Sequence, residues 1–210
     1  ISHRLYDASR PGDLAEKISE RTRLVWLEAA GSVTMEFPDL PEMIRICRAR
    51  RVTTALDNTW GAGLAFNPFD LDGDGTHRIG ADISVHALTK YPSGGGDVLM
   101  GSVITRDEKL HLKIKLSHMR LGLGVGANDV ETVLRSLPSM ALRYRAHDVS
   151  ARALARWCQM QPAISQVLHP ALAGSPGHDQ WQQLCVPSGS AAAQQVDPGL
   201  AAGLFSVVFD

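Results

Sequence analysis

Four short apolar runs punctuate the first half of the chain, and they restrict its fold more than any other feature. They are RLVWLE (residues 23–28), followed by VTTALD (52–57), ADISVHA (81–87) and VLMGSVIT (98–105), these last three β-branched and bounded by Gly, Pro or Asp clusters. After the first run, PDLPEMIRICRARR sets Leu40, Met43, Ile44 and Cys47 at helical spacing, which reads as strand then helix. Strands alternating with helical or looped connections select an α/β domain with a mainly parallel sheet.

From Asp107 the pattern turns helical, with interruptions at Gly122, Gly124 and Gly126 and again at Pro138. A second helix is expected to start near Asn128, whose side chain is placed to cap it, with Asp129 and Glu131 favoured in its first turn by the helix dipole. Helical character then runs to about Gln159, with a bend expected at Pro138 because proline removes a helix donor. Beyond it, AISQVLHP and GLFSVVFD read as strands separated by a Gly, Pro, Ser and Ala-rich region (173–202). The expected division is therefore residues 1–125 in a large domain, 126–160 in a long connecting helix, and 161–210 in an incomplete smaller α+β domain.

Composition excludes several classes of partner. The 210 residues are 44% hydrophobic, enough to bury a sizeable core, and the net charge is −1 (Lys+Arg 21, Asp+Glu 22). No global excess of positive charge is present to hold a phosphate backbone or an anionic membrane, so neither nucleic acid nor membrane is an expected partner. No apolar run approaches the roughly 18 residues of a transmembrane helix, and the opening ISHRLYDASR has no apolar signal core, so a cytoplasmic location is expected. Cys47, Cys158 and Cys185 are widely spaced and form no CxxC pair, which points to ordinary thiols rather than a disulfide framework or a zinc site.

In open α/β sheets, ligands sit outside the carboxyl ends of the strands. Asp57 closes one run, and Thr89 and Lys90 lie just beyond the next, so an acid, a hydroxyl and an amine share one edge if these strands are parallel. Pyridoxal 5'-phosphate (PLP) chemistry uses such a set: a lysine carries the cofactor and a carboxylate partners its pyridinium nitrogen. The YPSGGGD that follows Lys90 allows positive backbone φ and close approach to a ligand, and Thr89 with nearby amides offers donors to a phosphate. Spacing alone equally admits Asp57 as a turn residue and Lys90 as a solvated loop lysine.

Resemblance separates the two readings. LVWLEAAGSVTMEFPDLP, TTALDNTWGAGLAFNP and GADISVHALTKYPSGGGDVLMGSV resemble, in that order, three consecutive motifs of the PLP-dependent Cys/Met metabolism family, and RLGLGVGANDVETVLRSLPSMALR also looks like it. The resemblance implies the large domain of aspartate aminotransferase type, with residues 1–125 as part of the PLP-binding domain. It implies Lys90, in TKY, as the Schiff-base lysine and general base, Asp57, in LDNTW, as the partner of the ring nitrogen, and Thr89 as a phosphate-binding hydroxyl. The family often has a second such hydroxyl three places before the lysine, where this chain has Ala87. Asn58, Thr59 and Trp60 are expected to shape the pocket or pack the loop.

After Glu28 the sequence AAGSVTMEF looks like the β-cleaving form rather than the ESPTNP-like form of γ-acting members. The implied activity is a carbon–sulfur β-lyase that cleaves L-cystathionine to homocysteine, pyruvate and ammonia in methionine biosynthesis. In that scheme the substrate amine displaces Lys90, the freed amine takes the Cα proton, and a thiolate leaves from Cβ. A γ-acting lyase, synthase or sulfhydrylase, or a truncated non-catalytic remnant, are the alternatives. The family's shared active sites imply a homo-oligomer, a dimer or tetramer.

The family's Gly-rich phosphate turn, ring-stacking Tyr and Tyr-x-Arg pair are expected upstream of Ile1, and its carboxylate-binding arginine downstream of Asp210. The chain thus resembles an internal segment of a longer enzyme, and little lyase activity is expected from it alone. Two further features read as decoys. Asp70, Asp72, Asp74 and Gly75 match the first half of a calcium loop, but position 12 is Ala81 instead of a glutamate. His86 precedes the lysine by four residues and reads as either pocket-lining or packed, while His111 and His118 have no third ligand nearby, so no metal is expected.

Overall fold

The computed structural model describes residues 1–73, 75, 78–187 and 199–210. Its main sheet has four strands in sequential order: β1 (Leu24–Glu28), β2 (Thr53–Asp57), β3 (Ile83–Ala87) and β4 (Gly101–Thr105). The first three are parallel, with Leu24 aligned to Thr53 and Ala55 to Ile83; β4 runs antiparallel to β3, with Ile83 opposite Thr105. All four fall inside the apolar runs, and the architecture is the α/β, mainly parallel one that those runs imply. The fourth run enters the ladder only at Gly101, three residues later than its sequence suggests.

A short helix, α1 (Pro11–Lys17), precedes β1, and α2 (Leu40–Ala49) links β1 to β2. Asp39 caps α2 by accepting from the Glu42 amide at 3.0 Å, and Pro41 sits in its first turn, where the missing donor costs nothing. The helical spacing of Leu40, Met43, Ile44 and Cys47 puts all four on one buried face, in a single cluster with Val25, Leu27 and Leu56 of the sheet. Phe37, Trp60 and Phe66 extend this core through edge-on ring contacts with centroids 5.6 and 6.2 Å apart.

After β4 come α3 (Glu108–Leu121), α4 (Ala127–Ser136), a 3-10 turn (Leu137–Ser139) and α5 (Met140–Cys158). Asp107 caps α3, and Gly122, at φ 65°, ends it in the left-handed conformation that glycine takes without a steric penalty. The bend expected at Pro138 is the 3-10 turn. Asn128 does not cap α4: the cap position is Gly126, with no side-chain bond, and Asn128 already lies inside the helix. A second sheet pairs β5 (Ile164–Leu168) with β6 (Ser206–Phe209), antiparallel. Between them, α6 (His178–Cys185) occupies part of the Gly, Pro, Ser and Ala-rich region and buries Trp181 and Cys185. Among the described residues no helix is long and apolar enough to cross a membrane.

Candidate active site

Because β2 and β3 run parallel, their carboxyl ends lie at one edge, with Asp57 in register with Val85. The chain leaving β2 is stitched to β3: the Asn58 amide donates to the Val85 carbonyl (2.8 Å), and the Ala87 amide donates to Thr59 Oγ1 (2.9 Å). Asp57, half-buried, accepts from the Thr59 amide through Oδ1 at 2.9 Å, a turn bond that fixes the carboxylate's orientation. Asn58, Thr59 and Trp60 are all buried. Thr59 therefore holds the two strand ends together, a role in the loop rather than in any reacting group.

Lys90 follows β3 by three residues and its side chain is exposed. The loop that carries it is ordered by its own bonds: the Gly94 amide donates to the Lys90 carbonyl (2.9 Å) and Ser93 Oγ to the Thr89 carbonyl (2.7 Å). Thr89 Oγ1 accepts from the Met100 amide at 3.3 Å, which ties this loop to the approach of β4. The glycine-rich stretch does contain the positive φ its composition allows, at Gly94 (74°) and Gly96 (70°). At Gly94 the positive φ favours glycine, and a Cβ there would also displace the Arg143 guanidinium, 2.6 Å away.

His86 brings the acid and the amine into one electrostatic neighbourhood. Burial pushes its imidazole below the usual histidine range, the nearby Lys90 ammonium lowers it further, and the Asp57 carboxylate opposes both. Its Nε2 is buried and meets no hydrogen-bond partner among the described residues, as are Asn58 Oδ1 and Trp60 Nε1. Unsatisfied polar atoms are rare in native interiors, and three of them fall on the segments that carry Asp57 and Lys90.

Two residues of α5 that sequence reasoning missed hold this edge from behind. Arg143 donates to the Tyr91 carbonyl (2.8 Å) and to Ser136 Oγ (2.8 Å), while Tyr144, fully buried, donates to the Trp60 carbonyl (3.0 Å). Tyr91 packs against Tyr144 with ring centroids 4.7 Å apart, and its hydroxyl accepts from the Gly203 amide at 2.7 Å. Helix α5 thus grips the loop after β2 with one side chain and the loop after β3 with the next.

The donor set fits a pyridoxal phosphate at its ring and aldehyde ends. An acid suited to a protonated ring nitrogen and a primary amine suited to an aldehyde share one edge, beside buried polar atoms that lack partners. The phosphate end is thinner, since Thr89 Oγ1 already serves Met100 and Ala87 offers no hydroxyl. A cavity of about 800 Å³ lies elsewhere, at the opposite strand ends, and includes none of these residues. Asp74 of the half calcium motif lies outside the described residues; Asp70 Oδ2 accepts from the Gly75 amide at 3.1 Å, as a turn residue does.

Comparison with known proteins identifies a family that uses this cofactor. A family model described as Cys/Met metabolism PLP-dependent enzyme matches residues 1–200. A cystathionine beta-lyase of Bordetella avium is 35% identical over 189 residues, covering 90% of this chain and 45% of that protein. A cystathionine gamma-lyase of Dictyostelium discoideum is 30% identical, covering 82% of this chain and 43% of its own length. Among solved structures, a cystathionine gamma-lyase of Micromonospora echinospora superposes with a TM-score of 0.84 at 25% identity, covering 98% of this chain and 49% of that one. The chain spans about half the length of the relatives it matches.

Proposed function

The chain belongs to the Cys/Met metabolism PLP-dependent enzyme family, and from that premise we propose that it forms the lysine-bearing part of a carbon–sulfur β-lyase acting on L-cystathionine. The observation that supports the reading is the shared edge of parallel strands at which Asp57 closes β2 and the Lys90 loop leaves β3, with His86 within electrostatic reach of both. Bound pyridoxal phosphate supplies an electron sink for the pair left at Cα when its proton departs. Lys90 Nζ would hold the cofactor's aldehyde carbon and would serve as general base for the Cα proton. Asp57 keeps a proton on the ring nitrogen, its orientation set by the Thr59 amide. Thr89 would offer its hydroxyl to the phosphate, in competition with its bond from the Met100 amide. His86, held neutral by burial, lets the Lys90 amine act without a second positive charge beside it. A homo-oligomer belongs to the same proposal.

Borohydride reduction of the chain mixed with pyridoxal phosphate, followed by peptide mass spectrometry, tests the lysine. The cofactor should be fixed on Lys90 and lost from that peptide in Lys90→Ala; labelling spread over surface lysines without preference for Lys90 would remove the assignment. Cleavage chemistry is read on an assembly that turns over cystathionine and includes this segment. Pyruvate with homocysteine supports the β-lyase, whereas 2-oxobutyrate with cysteine supports the γ-lyase reading, which the likeness to γ-lyases keeps as the second one.

A further inference from the structure

At the edge opposite Asp57 and Lys90, where β2 and β3 begin and β4 ends, a cavity of about 800 Å³ opens between α2 and the first turns of α3. Small-molecule sites span roughly 300–1,000 Å³, so its size alone admits one. Arg51, Arg106, Lys109 and Lys113 line it, all exposed. Among the described residues none of these four cationic groups has a carboxylate within ion-pairing distance or a side-chain hydrogen bond. Lys109 and Lys113 stand four apart on α3, a spacing at which like charges repel and weaken the helix.

The two acids in the lining are engaged by hydrogen bonds within the wall. Asp82 Oδ2 accepts from the Thr54 amide (2.8 Å) and hydroxyl (2.9 Å), and Asp107 Oδ1 accepts from the Leu110 amide (2.6 Å) as the cap of α3. Arg48, also in the wall, donates to the Arg78 and Gly80 carbonyls. Phe69 and Leu110, both partly exposed, supply an apolar surface beside the four cations, with Ile44 and Val52 buried behind them. The whole chain carries a net charge of −1, so this positive field is local.

We propose that this cavity is a second ligand site, for a small molecule that joins a polyphosphate to a planar apolar group, of the nucleoside triphosphate class. The ammonium and guanidinium groups take the phosphate oxygens by charge-assisted hydrogen bonds, and the apolar wall takes the base. The concave shape favours a compact ligand over a nucleic acid strand, which needs an extended basic track along its backbone.

Calorimetric titration of the 210-residue chain with ATP at low ionic strength tests the site. The expected result is saturable one-to-one binding that weakens with added salt. Affinity should fall at least tenfold in the Lys109→Ala/Lys113→Ala variant, whose exposed positions leave the fold intact by circular dichroism, and stay unchanged in Lys90→Ala. Absence of saturable binding, or equal affinity in the double lysine variant, overturns the proposal. Loss of ATP binding in Lys90→Ala places the nucleotide at the other edge and overturns it as well. Inorganic tripolyphosphate binding as tightly as ATP removes the apolar half of the assignment, and an oligonucleotide binding more tightly than ATP removes the small molecule.

Discussion

His169 is fully buried, and its Nδ1 accepts a hydrogen bond from the Ala171 amide at 3.1 Å, so the ring must stay neutral to keep that bond. Burial first, then the Arg152 and Arg156 charges, push its pKa down to about 4. The unfolded chain, with an ordinary histidine near 6.5, takes up the proton more readily between those values. Stability from this residue is therefore complete above about pH 6.5, declines as pH falls toward 4, and is constant below, a loss on the order of 3 kcal/mol. Urea unfolding across pH 4–7 should show the decline, and His169→Asn, which retains an acceptor for Ala171, should flatten it; an equal slope in the variant would contradict this origin. No pattern in the sequence marks His169 as special, because its state depends on burial and on two arginines that only the fold brings near. That Asp57 and the Lys90 loop would share one edge was legible for the opposite reason: Asp57 closes one apolar run, Lys90 follows the next by three residues, and parallel strands bring such ends together. Arg143 and Tyr144 were not, since they reach carbonyls 52 and 84 residues away.

Between elements, α5 meets α6 through Arg152, whose ion pair within α5 is nearly enclosed and whose guanidinium lies over a ring of α6. Arg152 meets Asp148 at 2.8 Å with only 12% and 6% of the two side chains exposed, donates to the Gly199 carbonyl (2.8 Å), and lies 5.4 Å over the Trp181 ring. Arg152→Met leaves the Asp148 carboxylate enclosed without its cation, and should cost about 3–5 kcal/mol. Adding Asp148→Asn should recover much of that loss; a single-variant cost below about 1 kcal/mol in thermal unfolding would show that the pair is effectively solvated. Helix α2 was legible because four apolar residues recur at 3.6-residue spacing. Helix α6 was not: it is eight residues long, begins at a glycine with no capping side chain, and lies in a stretch whose composition resembles a loop. Asn128 misled for a related reason, since an asparagine caps only when its backbone is extended, and at this terminus Gly126 takes that conformation.

Across the whole molecule, stability should be unevenly distributed. Strand β2 is paired on both sides and its middle three residues are buried, whereas among the described residues β5 and β6 pair only with each other and leave much of their surface to solvent. Two-stranded sheets are marginal by themselves, so native-state hydrogen exchange should protect amides of Thr54–Leu56 by several orders of magnitude more than those of Gln166–Leu168. Uniform protection would mean that both sheets open only with global unfolding. The mainly parallel layout was readable from strands that alternate with helical or looped connections. The reversal of β4 was not, because strand direction leaves no mark on hydrophobic pattern. One helix bears on both halves of the candidate site, and this has a mechanical meaning. Tyr144 and Arg143 are neighbours on α5, yet they reach the Trp60 and Tyr91 carbonyls on separate loops. The gap between acid and amine is thus gauged by a single rigid rod, and a displacement of that rod carries both loops together and leaves their separation nearly constant.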